Sequence, residues 1–370
     1  MLTALTNATL YTGSEVIKGK AVVIDNEKIA GLVDSDGIGP GINVIDCNGL
    51  YIAPGLIDLQ IAGGGGYLFS ASPGEEALNA IAESIVKSGT TGFLVAVPTD
   101  TFDVYRDVIR IIKSNKHPAV LGLHLEGPYI SQARRGAHNK DLIKQPGINE
   151  IKSLLEEAEG AIVLMTVAPE VCDPEVIRLL RENNVVVSAG HSNATYEEAI
   201  RGFEWGIQTV THLFNGMSQL HHRDPGLPGA AFASDNVMAA IIADGIHVHF
   251  RMVALAKKFM KERLFLVSDA VEENLQGINN IHVRKKDRFT LPDGTLSGSV
   301  LSMMAAVKNC VEHASITTDE ALRMASLYPA RLLNLPDRGL IDKGYRADLI
   351  VFDKNFEIKS VYLKGKLSNK

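Results

Sequence analysis

Between residues 54 and 335 the chain repeats apolar runs of strand length, most of them separated by stretches with helical periodicity. The eight runs are 55–62, 91–97, 119–125, 162–167, 185–189, 207–211, 237–243 and 264–268. Their hydrophobicity is continuous rather than alternating, which is typical of strands buried on both faces. Eight such strands alternating with helices predict an α/β fold of the (β/α)8 TIM-barrel type, with an open doubly wound sheet as the alternative. The glycines at 63–66 do not match a dinucleotide-binding fingerprint.

Short signals mark the ends of several helices between these runs. The signals are an N-cap followed by proline at Asp173-Pro174, capping boxes at Thr195/Glu198 and Thr317/Glu320, and a terminating glycine, Gly89, after residues 75–88. Each signal satisfies or removes backbone groups that a helix end leaves unpaired. They support the alternating order of strands and helices.

The two ends of the chain differ from the middle because they contain short strand-like segments separated by polar turns. These segments are 21–24, 29–33 and 43–45 near the N-terminus and 347–352 and 358–363 near the C-terminus. We therefore predict a small β-sandwich domain formed by residues 1–53 and 340–370, and a barrel domain over 54–339.

Composition narrows the class of protein. The chain has 370 residues, 46% of them hydrophobic, so it can bury a large core. A formal net charge of -6 argues against nucleic acid or an anionic membrane as the main partner, but not against a small anionic substrate. With no signal-peptide profile and no membrane-spanning stretch, we predict a cytoplasmic protein. Cys47, Cys172 and Cys310 lie too far apart in sequence to indicate a disulfide framework or a thiolate zinc site.

Polar residues close most of the predicted strands. They are Asp58 and Gln60 in the first run, His124 and Glu126 at the third, His191 after the fifth, His212 after the sixth, Asp244 and His247 after the seventh, and Asp269 after the eighth. A barrel brings the carboxyl ends of its strands to one mouth. Glu126, His191 and His212 would then offer a carboxylate and two imidazoles, which suit zinc, iron or cobalt and leave a position for water. A lone histidine would be structural, whereas the three together predict a metal site.

Three further groups near the predicted mouth have assignable roles. Asp269 can accept a proton from water and pass it to a leaving nitrogen, with a helix cap as its structural alternative. His247 and His249 form a His-x-His pair, but in barrel hydrolases a metal-binding pair follows the first strand, where this chain has Gln60-Ile61-Ala62. We therefore predict a substrate contact for His247 and a structural role for His249. The loop His221-His222-Arg223 fits a solvated turn and a phosphate site equally well.

A set of ordered motifs resembles the N-acetylglucosamine-6-phosphate deacetylases of the amidohydrolase superfamily along nearly the whole chain. The motifs are PGLID at 54–58, GLHLEGP at 122–128, GAHN at 136–139, AGHS at 189–192, THLFN at 211–215, RDPGL at 223–227, DGIH at 244–247, SDA at 268–270 and LSGS at 296–299. Each motif alone is modest evidence, but the ordered set is specific.

The resemblance implies a role for each matching residue. By similarity, Glu126, His191 and His212 bind one divalent metal ion per subunit, with zinc preferred over iron or cobalt. Asp269 is the catalytic acid/base, and His138 polarises the acetamide carbonyl. The residues expected to contact the substrate are Ala137, His138, Asn215, Gly216, Arg223, His247, Ser297, Gly298 and Ser299.

The resemblance also implies an assembly. Arg223 and His247 are expected to bind the phosphate, and in such enzymes the arginine can come from a neighbouring subunit, which implies a homodimer. Gln60 matches the single-metal members, whereas Ala62 stands where those members usually have asparagine. Residues 93–98 read Phe-Leu-Val-Ala-Val-Pro, where a more polar strand with threonine is expected.

The reaction implied is metal-dependent deacetylation of N-acetylglucosamine 6-phosphate to glucosamine 6-phosphate and acetate. The nearest alternative is the same chemistry on N-acetylgalactosamine 6-phosphate, since nothing in the sequence separates the epimers. A cyclic amidase or aminoacylase of the same superfamily and a non-catalytic binder of sugar phosphates are further alternatives. Arg223 and His247 argue against the amidases, whose substrates lack phosphate. The complete set of metal ligands with Asp269 argues against the non-catalytic binder.

Overall fold

The computed structural model describes residues 2–274 and 281–368. Within them, eight parallel strands each pair with the next strand along the chain. They are β1 Leu56–Ile61, β2 Thr90–Pro98, β3 Val120–Glu126, β4 Ile162–Val167, β5 Val186–Ala189, β6 Thr209–Val210, β7 Met238–Ile241 and β8 Leu264–Leu266. The ring closes where Ile61 pairs in parallel with Ala270, just after β8. The predicted (β/α)8 barrel is confirmed, and the open sheet is wrong.

Helices follow the barrel strands in the predicted order. They are α1 Glu75–Lys87, α2 Phe102–Ser114, α3 Ile148–Ala158, α4 Pro174–Glu182, α5 Tyr196–Trp205, α6 Gly226–Ala233, α7 Phe250–Met260, α8 Met303–Ala314, α9 Thr318–Ala325 and α10 Leu327–Leu332. Single 3-10 turns occupy Ser35–Gly37, Gln132–Arg134, Lys140–Leu142, Pro169–Val171 and Lys261–Arg263. No helix among the described residues is both long and apolar enough to cross a bilayer.

The predicted helix ends are confirmed at α1 and α5. Gly89 follows α1 with a φ of 99°, which glycine adopts without steric cost. At α5 the Thr195 hydroxyl accepts from the backbone N–H of Glu198, whose carboxylate accepts from the backbone N–H of Thr195. Both unpaired donors are satisfied, so the helix begins at a defined residue.

Two other predicted caps form only in part. Pro174 is the first residue of α4, but the Asp173 side chain makes no capping hydrogen bond. Thr317 is the N-cap residue of α9, as predicted, but the capping box is wrong because the Thr317 hydroxyl makes no capping hydrogen bond. The Glu320 carboxylate, which would complete that box, instead contacts Lys257, Arg323 and Tyr328. The Glu320 carboxylate therefore bonds to these side chains and not to the backbone of Thr317.

Both termini contribute strands to two small sheets. One sheet contains Leu2–Thr6, Lys20–Asp25, Lys28–Asp34 and Asn43–Asp46, and the other contains Thr9–Tyr11, Val16–Ile17, Tyr51–Pro54, Leu349–Phe352, Ile358–Leu363 and Lys366–Leu367. Tyr51–Pro54 pairs with Leu349–Phe352, so the two ends of the chain share a sheet. A hydrophobic core separate from that of the barrel lies between the sheets, including Leu5, Val22, Ile52 and Val351.

The terminal β-sandwich of the predicted fold class is therefore present. Its predicted ranges, 1–53 and 340–370, include Met1 and residues 369–370, which lie outside the described residues. The boundaries at 53/54 and 339/340 stay a prediction.

Two small antiparallel sheets carry residues that reach the barrel mouth. Gly63–Gly64 pairs with Tyr67–Leu68 directly after β1. Val283–Arg284, Arg288–Thr290 and Leu296–Ser299 form a three-stranded sheet between β8 and α8. Since both follow the carboxyl ends of barrel strands, they lie at the end of the barrel where the polar residues converge.

Candidate active site

The three predicted metal ligands meet in one buried cluster. Glu126 ends β3, His191 follows β5 and His212 follows β6. Their ligand atoms all lie within 4.8 Å of one another. The Nε2 atoms of His191 and His212 lie 3.0 and 2.9 Å from the same Glu126 oxygen, Oε1. Residues separated by as many as 86 positions are thus brought to a single point.

The backbone turns sharply at three residues of this cluster region. The φ angles are 44° at His191, 29° at His212 and 53° at Asp269, all in the left-handed region. Such conformations are uncommon for residues with a Cβ and cost free energy unless the surroundings hold them. Each of the three follows the end of a barrel strand, so the turn sends its side chain across the mouth.

The donor atoms fit a divalent cation. His191 Nδ1 lies 2.9 Å from the Arg134 carbonyl oxygen, which can only accept, so Nδ1 carries the proton and Nε2 presents a lone pair to the cluster. When the two rings are protonated instead, their Nε2–H groups donate to Glu126. Burial raises the pKa of the Glu126 carboxyl, but these hydrogen bonds then hold that pKa well below the usual value. A carboxylate and two imidazole nitrogens only 3.2 Å apart form a donor set typical of zinc and other transition metals.

One glycine allows this packing around His191. Gly216 has a φ of 54°, and a Cβ at that position would lie 2.8 Å from His191 Nδ1. A side chain there would displace the imidazole ring. Gly216 was predicted as a substrate contact, and the structure adds this requirement for close approach.

Asp269 lies beside the cluster and is joined to it by Gln60. The Gln60 amide Nε2 donates to Asp269 Oδ1 at 2.9 Å and to Glu126 Oε1 at 3.2 Å. Burial and the neighbouring Glu126 carboxylate raise the pKa of Asp269. A carboxylate with a raised pKa is suited to receive a proton and hold it.

His138 faces the same cluster as a neutral N–H donor. The Thr99 backbone N–H donates to His138 Nδ1 at 3.1 Å, so Nδ1 is the accepting nitrogen and Nε2 carries the hydrogen. His138 Nε2 lies 4.0 Å from Glu126 Oε2. Burial and the nearby His191 lower the pKa of His138 to about 3, so the ring is uncharged at neutral pH.

A buried polar layer lies beneath the ligands. His124 Nδ1 donates to the Leu59 carbonyl oxygen at 2.9 Å, and Nε2 accepts from the Thr166 hydroxyl at 2.7 Å. Thr166 bonds in turn to the Thr211 hydroxyl, next to His212 in sequence. Burial lowers the pKa of His124 to about 4, so it is a neutral structural residue. This network ties β1, β3 and β4 together under the site.

The cluster opens into a cavity of about 240 Å³. Besides Glu126, His191, His212 and Asp269, the predicted site residues that line it are Ala137, His138, Asn215, Gly216, His247, Ser297 and Gly298. His247 is held by Asp244, whose Oδ2 lies 2.6 Å from Nδ1. His249 instead caps α7 by accepting from the Arg251 backbone N–H, as expected for a structural residue.

Two predicted substrate contacts do not line this cavity. Ser299 is fully buried, and its hydroxyl donates to the Ser268 carbonyl oxygen. Arg223 is exposed in its loop, where its backbone N–H bonds to His221. A direct substrate contact by either residue stays a prediction.

Other cavity residues were missed or only partly interpreted from sequence. His282 lines the cavity, and Thr99 orients His138, but neither lies in a motif that marked the site. Gln60 was interpreted only as a marker of single-metal members, whereas it bonds both carboxylates. Ala62, Ala96 and Pro98 give part of the cavity an apolar wall, where a more polar second strand was expected.

Known families match the whole described fold. Residues 51–368 match the model of the amidohydrolase family, and residues 2–52 match that of the NagA composite domain. A barrel with a buried carboxylate–imidazole cluster at the carboxyl ends of its strands agrees with that match. Fold and site define a hydrolase that acts on amide bonds and has a divalent metal site.

Relatives of known activity narrow the family. The chain is 35% identical to N-acetylglucosamine-6-phosphate deacetylase of Haemophilus influenzae, over 98% of each protein. It is 36% identical to N-acetylgalactosamine-6-phosphate deacetylase of a Shewanella species, over 85% of this chain and 82% of the other. The chain belongs to the amidohydrolase family and, within it, to the N-acetylglucosamine-6-phosphate deacetylases.

Solved structures agree with this family. The crystal structure of N-acetylglucosamine-6-phosphate deacetylase from Pasteurella multocida has a TM-score of 0.95 and 32% identity, over 99% of each chain. A variant of the Mycobacterium smegmatis deacetylase, in complex with N-acetyl-D-glucosamine 6-phosphate, has a TM-score of 0.88 and 26% identity over 100% of this chain and 99% of the other.

Proposed function

We propose that the protein hydrolyses the acetamide of N-acetylglucosamine 6-phosphate, releasing glucosamine 6-phosphate and acetate. The observation that carries this proposal is the buried cluster of Glu126, His191 and His212, which lies beside Asp269 in a cavity. The chain's membership of the N-acetylglucosamine-6-phosphate deacetylases supports it. The related mycobacterial deacetylase binds the same sugar phosphate, which supports the choice of substrate.

The cluster residues would hold one divalent ion, which supplies Lewis acidity and makes water more acidic. We propose zinc, because a carboxylate and two imidazoles suit it, with iron or cobalt as alternatives. Asp269 accepts the proton of the attacking water and then donates it to the departing amine. Gln60 orients the Asp269 carboxylate for both transfers.

His138 would stabilise the charge that develops on the acetamide oxygen. Its Nε2–H is available because Thr99 bonds to Nδ1, and a ring with a pKa of about 3 stays neutral throughout turnover. A fixed neutral donor aimed at a developing oxyanion lowers the barrier without reorganising during the reaction. Asn215 and the backbone of residues 297–298 would position the sugar.

A homodimer would complete the phosphate site. Arg223 does not line the cavity of its own chain, so the proposed phosphate grip requires the loop of a second copy to reach it. Leu220, next to this loop in sequence, is 43% exposed, and Leu255 and Phe259 of α7 are 38% and 53% exposed. Phe259 stacks on Phe232 of α6, which extends the apolar surface. Exposed apolar side chains that lie together on a surface are typical of subunit interfaces.

N-acetylgalactosamine 6-phosphate is the second candidate substrate, because a deacetylase of that epimer is 36% identical to this chain. Cytoplasmic location also stays a proposal. The free, buried thiols of Cys47, Cys172 and Cys310 agree with a reducing compartment.

Acetate release from N-acetylglucosamine 6-phosphate tests the function, with metal content measured on the same sample. Release that stops on chelation and returns with zinc is the expected result. The galactosamine epimer and unphosphorylated N-acetylglucosamine are assayed in parallel. A metal-loaded sample that released acetate only from the epimer, or equally well from the unphosphorylated sugar, would overturn the proposed substrate but leave the reaction class.

A further inference from the structure

His282 is a buried imidazole that the mechanism does not use. It lies just before the strand Val283–Arg284, is only 6% exposed and lines the same cavity as the metal cluster. Its backbone N–H and carbonyl both pair with Asn274 at 3.1–3.2 Å. Its ring Nδ1 lies 2.9 Å from the Ser297 hydroxyl. Both the backbone of His282 and its ring nitrogen Nδ1 are therefore held by hydrogen bonds.

The second nitrogen of this ring is free to meet a ligand. Within residues 2–274 and 281–368, no protein group hydrogen-bonds His282 Nε2. The same cavity is also lined by apolar residues, including Val271 and Leu296. A polar atom that faces a cavity loses its contact with water when a ligand fills the cavity, which is costly unless a partner satisfies the atom. In this cavity that partner would be the substrate.

The surroundings of the ring decide which substrate group it can bind. Burial lowers the pKa of His282 to about 4, so the ring is neutral at pH 7. His247, which also lines the cavity, has a carboxylate as its Nδ1 partner instead of a hydroxyl, with Asp244 Oδ2 at 2.6 Å. A neutral imidazole can exchange a hydrogen bond with a hydroxyl but offers no positive charge to a phosphate dianion.

We propose that His282, oriented by Ser297, is a further substrate-binding residue that hydrogen-bonds a ring hydroxyl of the sugar. This inference rests on the proposed deacetylation, because it needs a hydroxylated substrate whose amide lies at the metal cluster. His282 would contribute to recognition of the sugar ring, while the metal cluster and Asp269 act on the amide.

The test uses the metal-loaded protein and three substrates that each replace one free ring hydroxyl (at C1, C3 or C4) of N-acetylglucosamine 6-phosphate with hydrogen. In the native protein, removing the contacted hydroxyl should lower kcat/KM about tenfold, the value of one buried hydrogen bond. His282→Phe should lower kcat/KM for the complete substrate by a similar factor. The His282→Phe variant should no longer distinguish the complete substrate from that one deoxy analogue, but should still distinguish it from the other two. The reason is that the substitution and the missing hydroxyl remove the same hydrogen bond.

Two further variants separate recognition from packing. His282→Gln keeps a hydrogen-bonding group and should recover part of the difference in kcat/KM between the complete substrate and the deoxy analogue. This variant still tests the contact if His282→Phe folds poorly. His313→Gln, at a surface histidine of α8 with a 48% exposed side chain, is the matched control and should change nothing. Metal content is measured for every sample.

The outcomes are distinct. A native protein that releases no acetate from any of these sugars would remove the proposed function itself. Native turnover with unchanged analogue ratios in His282→Phe and His282→Gln would overturn the contact. So would an equal loss on all analogues, because that pattern indicates a packing role.

Discussion

The cavity has two ends that are built differently. At the inner end, Glu126, His191, His212 and Asp269 lie at or just after the ends of barrel strands and bond to one another or through Gln60. Glu126, His191 and His212 are nearly fully buried, whereas Asp269 is half-buried. At the outer end, Ser297 belongs to the sheet between β8 and α8, and His282 immediately precedes a strand of that sheet. The exposed Arg223 loop does not line the cavity of its own chain and is proposed to reach this end from a second copy.

The two ends of the cavity differ in what holds their residues in place. The inner groups are connected through the barrel and its polar floor, so their geometry is set by the same packing that closes the ring of strands. The outer groups depend on connecting segments, which can change between relatives without disturbing the barrel. We expect the inner end to determine the reaction and the outer end to determine the substrate. The predictions below test that division, from the largest expected effect to the smallest.

Removal of the metal should abolish turnover, because the inner end then has no Lewis acid. The melting temperature should fall as well, since an ion present at about 100 times its Kd stabilises the folded state by about 2.7 kcal/mol. Acetate release and thermal unfolding are measured before chelation, after it and after zinc is restored. Full activity in a sample with no detectable metal would contradict the assignment of the cluster.

Asp269→Asn should lower kcat by about 10²–10⁴-fold, the usual contribution of general acid–base catalysis, while metal content stays constant. Asp103→Asn, at a side chain that is 93% exposed on α2, is the matched control. Unchanged turnover in Asp269→Asn would remove this carboxylate from the mechanism.

His138→Phe should lower kcat by about 10²–10³-fold, because one oxyanion donor is lost. Thr99→Val should have a smaller effect, since it removes the hydroxyl 2.9 Å from His138 Nδ1 but keeps the backbone N–H that fixes the tautomer. Steady-state kinetics on both variants are compared. A larger loss in Thr99→Val than in His138→Phe would mean that Thr99 acts in some other way.

At the outer end, Arg223→Ala should raise KM for the phosphorylated substrate about tenfold or more with little change in kcat, as expected for loss of a charge-assisted hydrogen bond. Arg178→Ala, at an exposed arginine of α4, is the control. If the loop acts across a dimer, mixing Arg223→Ala with Asp269→Asn subunits should restore sites that have both groups. An unchanged KM would leave Arg223 as a solvated residue.

Beneath the inner end, Asp58 should make stability depend on pH. Burial raises the pKa of Asp58 to about 7, whereas an aspartate in the unfolded chain titrates at about 3.9. Between these values the folded protein binds the extra proton, so the stabilising contribution of the protonated form is present at about pH 4 and is lost as the pH rises to about 7.

Asp58→Asn should remove this pH-dependent contribution to the free energy of unfolding, which is of the order of a few kcal/mol. Urea unfolding of the native protein and the variant at several pH values measures the difference. A stability difference that stays constant from about pH 4 to about pH 7 would contradict the raised pKa of this carboxyl.

Much of this arrangement follows from the sequence alone. The continuous apolar runs determined eight buried parallel strands, because a strand covered on both faces tolerates few polar residues. Once a barrel was inferred, Glu126, His191 and His212 had to approach one another, since the fold gathers the carboxyl ends of its strands. Thr195 with Glu198 predicted a cap correctly because all its partners are local.

What the sequence could not determine depends on partners that are distant along the chain. The Thr317 cap failed because Glu320 is bound by Lys257, 63 residues away. Thr99 orients His138 across 39 residues, and His282 reaches the cavity on a sheet whose position depends on the segments around it. Ser299 carries the right motif but points its hydroxyl at Ser268. Local patterns report periodicity and turn chemistry, whereas the direction and partners of a side chain are decided only when the surrounding elements pack.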